Sequence, residues 1–247
     1  MHKRVDILGV RVSAVNLKEA AGEIEGWVKT GHKAYVCVAP VSTLVDCQRN
    51  RAYREVVNAA DMVTPDGMPV VWLARQQGYP TVSRTYGPDL MAELCRRPGL
   101  RHYFWGATPQ TLALLKEHLE KDFPGIAIAG MTSPPFRPQA QAEERPVVEA
   151  INVTQPDILW VGLGSPKQDF WMKFNRSQIN APVMVGVGAA FDFLAGTKPQ
   201  APVWMQRSGL EWLFRLACEP RRLWKRYLIG NSLFILYLLK HSLLRRP

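Results

Sequence analysis

The sequence predicts an α/β fold: a Rossmann-like, mostly parallel sheet with helices on both faces, plus a C-terminal helical appendage. Three observations predict it. Apolar, β-branched runs alternate with helix-like segments along most of the chain. Several runs, such as Ile158-Leu159-Trp160-Val161, are apolar without alternation, as strands covered on both faces must be. Near Ala201-Pro202 the alternation stops and helix follows helix. Residues 1–202 therefore read as an α/β domain, and residues 203–247 as a basic, Trp-rich appendage.

Taken in order, Val5–Val12 reads as the first strand. Asn16 with Glu19 three residues on is a capping-box opening for a helix over Leu17–Lys29. Further strands are expected at Ala34–Ala39, Asp61–Thr64, His102–Gly106, Gly125–Ala129, Asp157–Gly162 and Pro182–Val187. Helices fill most gaps: Asn50–Asn58, Pro69–Gln77, Pro88–Arg96, Pro109–Lys121, Gln139–Asn152 and Pro166–Asn175. Met131–Gln139, with Pro134, Pro135 and Pro138, reads as a loop and a candidate lid.

Composition narrows the function classes. The chain has 247 residues, 47% hydrophobic and 21% charged, as in an ordinary folded protein. Met1-His2-Lys3-Arg4 runs directly into a strand with no secretory-type leader, so residence in the cytosol is expected. Cys37, Cys47, Cys95 and Cys218 form no C-x-x-C pair and have no His at metal spacing; they are expected to be buried thiols. With five scattered His and no H-E-x-x-H or D-x-D pattern, neither a metal site nor a cofactor is expected, and no G-x-S-x-G suggests a hydrolase. Of the net charge of +10, most lies between Arg207 and Pro247, where nine Lys/Arg face only Glu211 and Glu219. Such a block implies an anionic partner: a membrane surface, a diphosphate or nucleic acid.

In a parallel sheet, ligands gather at the carboxyl ends of the strands, where helix N-termini offer free N–H groups to anions. Four segments fit that position. Asp61–Pro69 is a short strand, a Pro-Asp-Gly turn and a helix start; it sets Asp66 at the strand mouth, where a carboxylate can take a proton from a hydroxyl. The same residues also make an ordinary turn. Val161–Trp171 carries Gly162, Gly164, Ser165, Pro166, Lys167 and Gln168 in a phosphate-cradle order, although Ser165 and Gln168 alone would make a capping box. Val185–Asp192 brings Gly188 and a loop Asp192, and Tyr103–Pro109 brings Gly106 with Thr108 as N-cap. Together the glycine turns and Asp66 form a fair nucleotide site. No acidic residue stands where NAD binding would want one.

In the tail, Leu210, Leu213, Phe214 and Ala217 form a helical apolar stripe. After Pro220, Arg221 stacks over Lys225 and Arg222 over Arg226; like-charge pairs at this spacing cost up to about 0.5 kcal/mol each unless an anion offsets them. Tyr227–Leu239 is uncharged but too short to cross a bilayer, for which about 20 apolar residues are needed. Trp204, Trp212, Trp224 and Tyr227 beside Lys/Arg have the composition of an interfacial helix. A buried terminal helix with a solvated charged face is the plainer reading. Nucleic acid is disfavoured, because an aliphatic run follows the basic residues.

These segments combine into a pattern. Thr64-Pro65-Asp66-Gly67 with Trp72, Gly162-x-Gly164-x-Pro166-Lys167-Gln168-Asp169-x-Trp171, Gly186-Val187-Gly188-x-x-Phe191-Asp192-Phe193-x-x-Gly196 and Ala201-Pro202-x-Trp204 through Gly209-Leu210-Glu211-Trp212-x-x-Arg215 to Glu219-Pro220-x-Arg222 resemble the WecG/TagA/CpsF family of glycosyltransferases. The resemblance runs in the family's order from about residue 5 to about residue 230. It implies an inverting, metal-independent transfer of a hexose-type sugar from a UDP-sugar to a polyprenyl-diphosphate-linked saccharide. It further implies a protein held peripherally at the inner face of the cytoplasmic membrane, in wall teichoic acid, enterobacterial common antigen or exopolysaccharide synthesis. Asp66 then matches the general base. Gly106, Gly162, Gly164, Lys167, Gln168, Gly188 and Asp192 become the donor-binding set, and Arg84, Arg215, Arg221 and Arg222 meet the acceptor and its diphosphate.

Two positions depart from the pattern. Cys37-Val38-Ala39-Pro40 stands where many members have Thr-x-Asn-Pro, which removes two polar contacts and the warrant for N-acetylmannosamine as donor sugar. In the lid, stacking rests on Phe136 alone. An NAD(P)-dependent enzyme and a non-catalytic membrane-surface nucleotide-binding protein stand as alternatives, and homo-oligomerisation is left open.

Overall fold

The computed structural model describes residues 2–135, 143 and 145–244. It opens with a hairpin, β1 (Arg4–Ile7) and β2 (Val10–Ser13), paired antiparallel. The single strand expected over Val5–Val12 is thereby corrected. Leu8 (φ 54°) and Gly9 (φ 73°) both adopt left-handed backbone, the two-residue turn whose twist suits a hairpin. Leucine is not a turn residue, so the break is hidden in the sequence. Val63 N–H donates to Ser13 Oγ at 2.9 Å, tying the hairpin to the sheet.

Six strands, β3 (Ala34–Ala39), β4 (Met62–Pro65), β5 (Arg101–Gly106), β6 (Ala127–Thr132), β7 (Ile158–Gly162) and β8 (Val183–Gly186), form one parallel sheet in the order β4-β3-β8-β7-β5-β6. The expected fold class is therefore the observed one. Register aligns Val36, Val185, Trp160 and Phe104 across four strands, and the pleat sends this row to one face and Tyr35, Met184, Leu159 and Tyr103 to the other.

Helices α1 (Leu17–Thr30), α5 (Gly87–Cys95), α6 (Pro109–Asp122) and α9 (Ala190–Leu194) bury their apolar sides on the first face. Helices α2 (Val41–Arg49), α3 (Arg51–Asn58), α4 (Met68–Gln76), α7 (Arg145–Asn152) and α8 (Lys167–Asn175) cover the second. The capping box of α1 is present: Glu19 N–H donates to Asn16 Oδ1 and Asn16 N–H to Glu19, each at 3.0 Å. The sequence gives no sign of α2, which starts directly after Pro40 without a side-chain cap. Strand β6 extends to Thr132, so the lid segment begins later than expected; its residues 136–139, Phe136 included, lie outside the described residues, as does the start of the helix expected from Gln139.

The tail comprises α10 (Val203–Arg207), α11 (Glu211–Cys218), α12 (Pro220–Trp224), a π-helical turn (Lys225–Ile229) and α13 (Gly230–Leu244). Helix α13 packs on α2 and places Phe234 in the same core as the second face of the sheet. The stripe predicted for α11 is not a core stripe: no residue of α11 is buried and Leu213 is exposed, because its inward side carries Glu211, Trp212 and Arg215. For the same reason Cys218 is exposed, unlike the buried Cys37, Cys47 and Cys95. Among the described residues, no helix is long and apolar enough to cross a membrane.

Candidate active site

The ends of β3, β4, β7 and β8 form the floor of a cavity of about 710 Å³, and the tail helices roof it. Asp66 follows β4 directly, its N–H bonded to Ala39 O at 3.3 Å, and Gly67 (φ 86°) turns the chain into α4. Thr85 N–H donates to Pro65 O at 2.8 Å, which lays the Arg84–Tyr86 segment beside the end of β4. Arg84 Nε thus comes within 3.8 Å of Asp66 Oδ1, and the Arg84 guanidinium lies 3.8 Å above the Tyr86 ring. Burial pushes the Asp66 carboxyl up to about 6; nearby Arg84 draws it down and Glu211 adds to the rise, with Arg215 and Arg226 drawing it down further.

Gln168 is nearly inaccessible and acts as a bracket across the floor. Its Oε1 accepts the N–H groups of Gly164 (3.2 Å) and Gly188 (2.9 Å), and its Nε2 donates to Ser165 Oγ at 3.3 Å. The capping box of Ser165 and Gln168 is therefore not formed; Pro166 occupies the cap position and the helix begins at Lys167. Gly164 of the expected phosphate cradle and Gly188 of the following glycine turn thus spend their N–H groups on a side chain, which fixes the two loops to each other.

Of the residues singled out from the sequence, Asp66, Gly162, Gly164, Gln168, Gly188, Asp192, Arg84, Arg215 and Arg222 line the cavity. Gly106, Lys167 and Arg221 do not. At Gly106 (φ 134°) a Cβ would lie 2.6 Å from the Gly162 backbone, so its glycine serves the close approach of β5 and β7. Arg221 is exposed on α12 and does not line the cavity. Asp192 lies on α9, not in a loop, and pairs with Lys198 at 2.8 Å.

Sequence reasoning missed Lys198, Ser42, Gln206, Glu211, Arg226 and Tyr227 as cavity residues. Arg226 Nη2 and Nε donate to Ser42 Oγ at 2.8 and 3.1 Å, joining the π-helical turn to the first turn of α2. The spacing of Arg222 and Arg226 held the signal, since residues four apart share a helix face. Arg215 stands over the Phe193 ring at 5.3 Å, and Val38 and Pro40 make the wall beside β3 apolar. Among the described residues, no group of three or more His, Cys, Asp or Glu is placed to hold a metal ion.

Fold and site together define a Rossmann-like α/β protein in which one carboxylate at the sheet's carboxyl edge faces several cations under a helical roof. The model of the Glycosyl transferase WecG/TagA/CpsF family matches residues 5–247, and the chain belongs to that family of glycosyltransferases. It is 33% identical over 212 residues to the N-acetylglucosaminyldiphosphoundecaprenol N-acetyl-beta-D-mannosaminyltransferase of Bacillus spizizenii, covering 85% of this chain and 80% of that protein. It is 27% identical over 225 residues to the Staphylococcus aureus protein of the same name, covering 89% of this chain and 87% of the relative.

Proposed function

We propose that the chain is an inverting, metal-independent glycosyltransferase that moves a hexose-type sugar from a UDP-sugar to a polyprenyl-diphosphate-linked saccharide. The observation that carries the reading is the Asp66 carboxylate, held near neutrality on the floor of a cavity large enough for a nucleotide sugar. The names of the Bacillus and Staphylococcus relatives support a lipid-diphosphate acceptor.

In the proposed step, Asp66 takes the proton of the acceptor hydroxyl as its oxygen attacks the anomeric carbon. The bond from that carbon to the phosphate oxygen breaks, and the electron pair leaves with UDP. Single displacement inverts the anomeric centre. Negative charge grows on the leaving diphosphate and is met by Arg215, Arg222, Arg226 and Lys198, whose guanidinium and ammonium groups supply what a divalent cation would otherwise supply. Full rate in EDTA is the matching expectation.

Residues 1–202 then hold the base and the donor sugar, and residues 203–247 form the appendage that closes over the donor diphosphate and meets the acceptor. Exposed Leu228, Ile229, Ile235, Leu236, Leu239 and Leu243 on this appendage support seating at the inner face of the membrane, beside the mouth of the cavity.

The test offers a mixture of UDP-sugars with polyprenyl-diphosphate N-acetylglucosamine in detergent and weighs the lipid product. A hexose-sized mass gain supports the reading, and no transfer from any UDP-sugar ends it. Asp66→Asn is expected to lower turnover by about 10²-fold or more while leaving UDP affinity nearly intact. Because the base is ionised above its value of about 6, kcat/KM of the parent should fall as pH drops through that value. A fully active Asp66→Asn protein ends the assignment of the base.

A further inference from the structure

The cation beside Asp66 is shared unequally. Arg84 approaches Asp66 only through Nε, and that buried N–H has no hydrogen-bond partner among the described residues. Its terminal nitrogens serve the tail instead. Nη1 donates to Gln206 Oε1 at 2.8 Å, and Nη2 donates to Glu211 Oε2 in a close contact. Asp89 Oδ2 is a distant third carboxylate, 4.0 Å from Nη1. A guanidinium between carboxylates binds best where its N–H groups meet acceptors head-on, and both aligned bonds here go to α10 and α11.

We propose that Glu211 is a positioning residue for the base: together with Gln206 it holds the Arg84 guanidinium off Asp66, so that seating of α10 and α11 leaves the carboxylate free to accept a proton. The proposal rests on the assignment of Asp66 as base. It gives the tail a part in the chemistry that runs from Glu211 through Arg84 to the base.

The groups facing Asp66 come from three directions. Arg84 and Tyr86 lie on the segment before α5, with Asp89 behind them on α5; Glu211 and Arg215 project from α11; Arg226 and Tyr227 project from the π-helical turn. The three arginines favour the ionised carboxylate, whereas burial and Glu211 oppose it, and the opposition prevails. Removing the charge of Glu211 withdraws its own repulsion and also releases Arg84 toward Asp66. Both changes lower the Asp66 pKa. A purely structural role for Glu211 predicts lost stability with no such displacement.

The test needs no substrate. Urea unfolding of the full-length parent and of Asp66→Asn is followed from about pH 4 to 8, and their stability difference is plotted against pH. Because the folded pKa of Asp66 lies above its unfolded value, the parent holds this contribution fully at low pH and loses it as pH rises through about 6. In a Glu211→Gln background the midpoint should fall by about one pH unit or more, and Glu211→Asp should restore part of it. An unmoved or raised midpoint overturns the proposal. If Glu211→Gln does not fold, Gln206→Ala, which frees Nη1 alone, should move the midpoint the same way by less; no movement there also overturns it. Turnover by Asp66→Asn would instead refute the base assignment, so the two failures are distinguishable.

Discussion

The floor and the roof of the cavity are built on opposite plans. The floor is sheet edge and buried loop: Gln168 cross-links two loops through backbone N–H groups, and Gly106 and Gly162 let strands and helix approach so closely that any Cβ would collide. The roof is surface helix. Neither α10 nor α11 has a buried residue or a side-chain cap, and the described polar ties to the floor are those of Arg84 with Gln206 and Glu211 and of Arg226 with Ser42. In the proposed reaction a fixed floor suits a base and a donor that must be held to within fractions of an ångström, whereas lightly tied α10 and α11 suit a large lipid-linked acceptor that must enter and leave.

The largest break in this contrast is to remove the roof. Ending the chain after Pro202 takes away Glu211, Arg215, Arg222 and Arg226 at once. Transfer in detergent, where anchoring no longer matters, should fall by about 10³-fold or more, with circular dichroism checking that the α/β body is intact. A truncated protein that works normally would reduce the tail to an anchor. Cutting one tie should do less: Arg226→Ala is expected to lower kcat/KM by about tenfold, while the midpoint of unfolding barely moves because the residue is exposed. Ser42→Ala, which removes the tie and keeps the cation, separates closure from charge. The smallest effect tests the floor side alone. Asn16→Ala removes the cap of α1, far from the cavity, and should cost about 1 kcal/mol in urea unfolding with unchanged turnover.

The same contrast governs what the sequence made legible. Central strands were readable because burial on both faces leaves continuous apolar runs; Ala34–Ala39 was expected and found with the same ends. Asn16 and Thr108 announced their helices because caps are local. Where structure depended on distant partners the reading failed. Leu8 takes a turn conformation its type disfavours, held by a hairpin that Ser13 fixes to β4. Gln168 resembled half of a capping box, yet its amide is claimed by Gly188, twenty positions on. In the tail, Arg221 was taken from the family resemblance in place of Arg226, although Arg222 and Arg226, four apart, share the helix face that lines the cavity.

The π-helical turn in the tail has a consequence for the register of everything after it. Gly230 N–H reaches back five residues to Lys225 O, one more than in an α-helix, while the backbone dihedrals stay helical on either side. Each residue of an α-helix advances about 100° around the axis, so the extra residue acts as a phase adjustment between two halves of one rod. Arg222 before the turn, Arg226 within it and Phe234 after it thus all line the cavity, and Phe234 also enters the core beside α2. Deleting a single residue between Lys225 and Ile229 would restore a regular helix and leave α12 and α13 nearly in phase, whereas a deletion in the regular part of α13 ahead of Phe234 would swing its apolar seat by about 100°. Within this tail a one-residue loss inside the π-helical turn should therefore do less harm than the same loss in the regular helix after it.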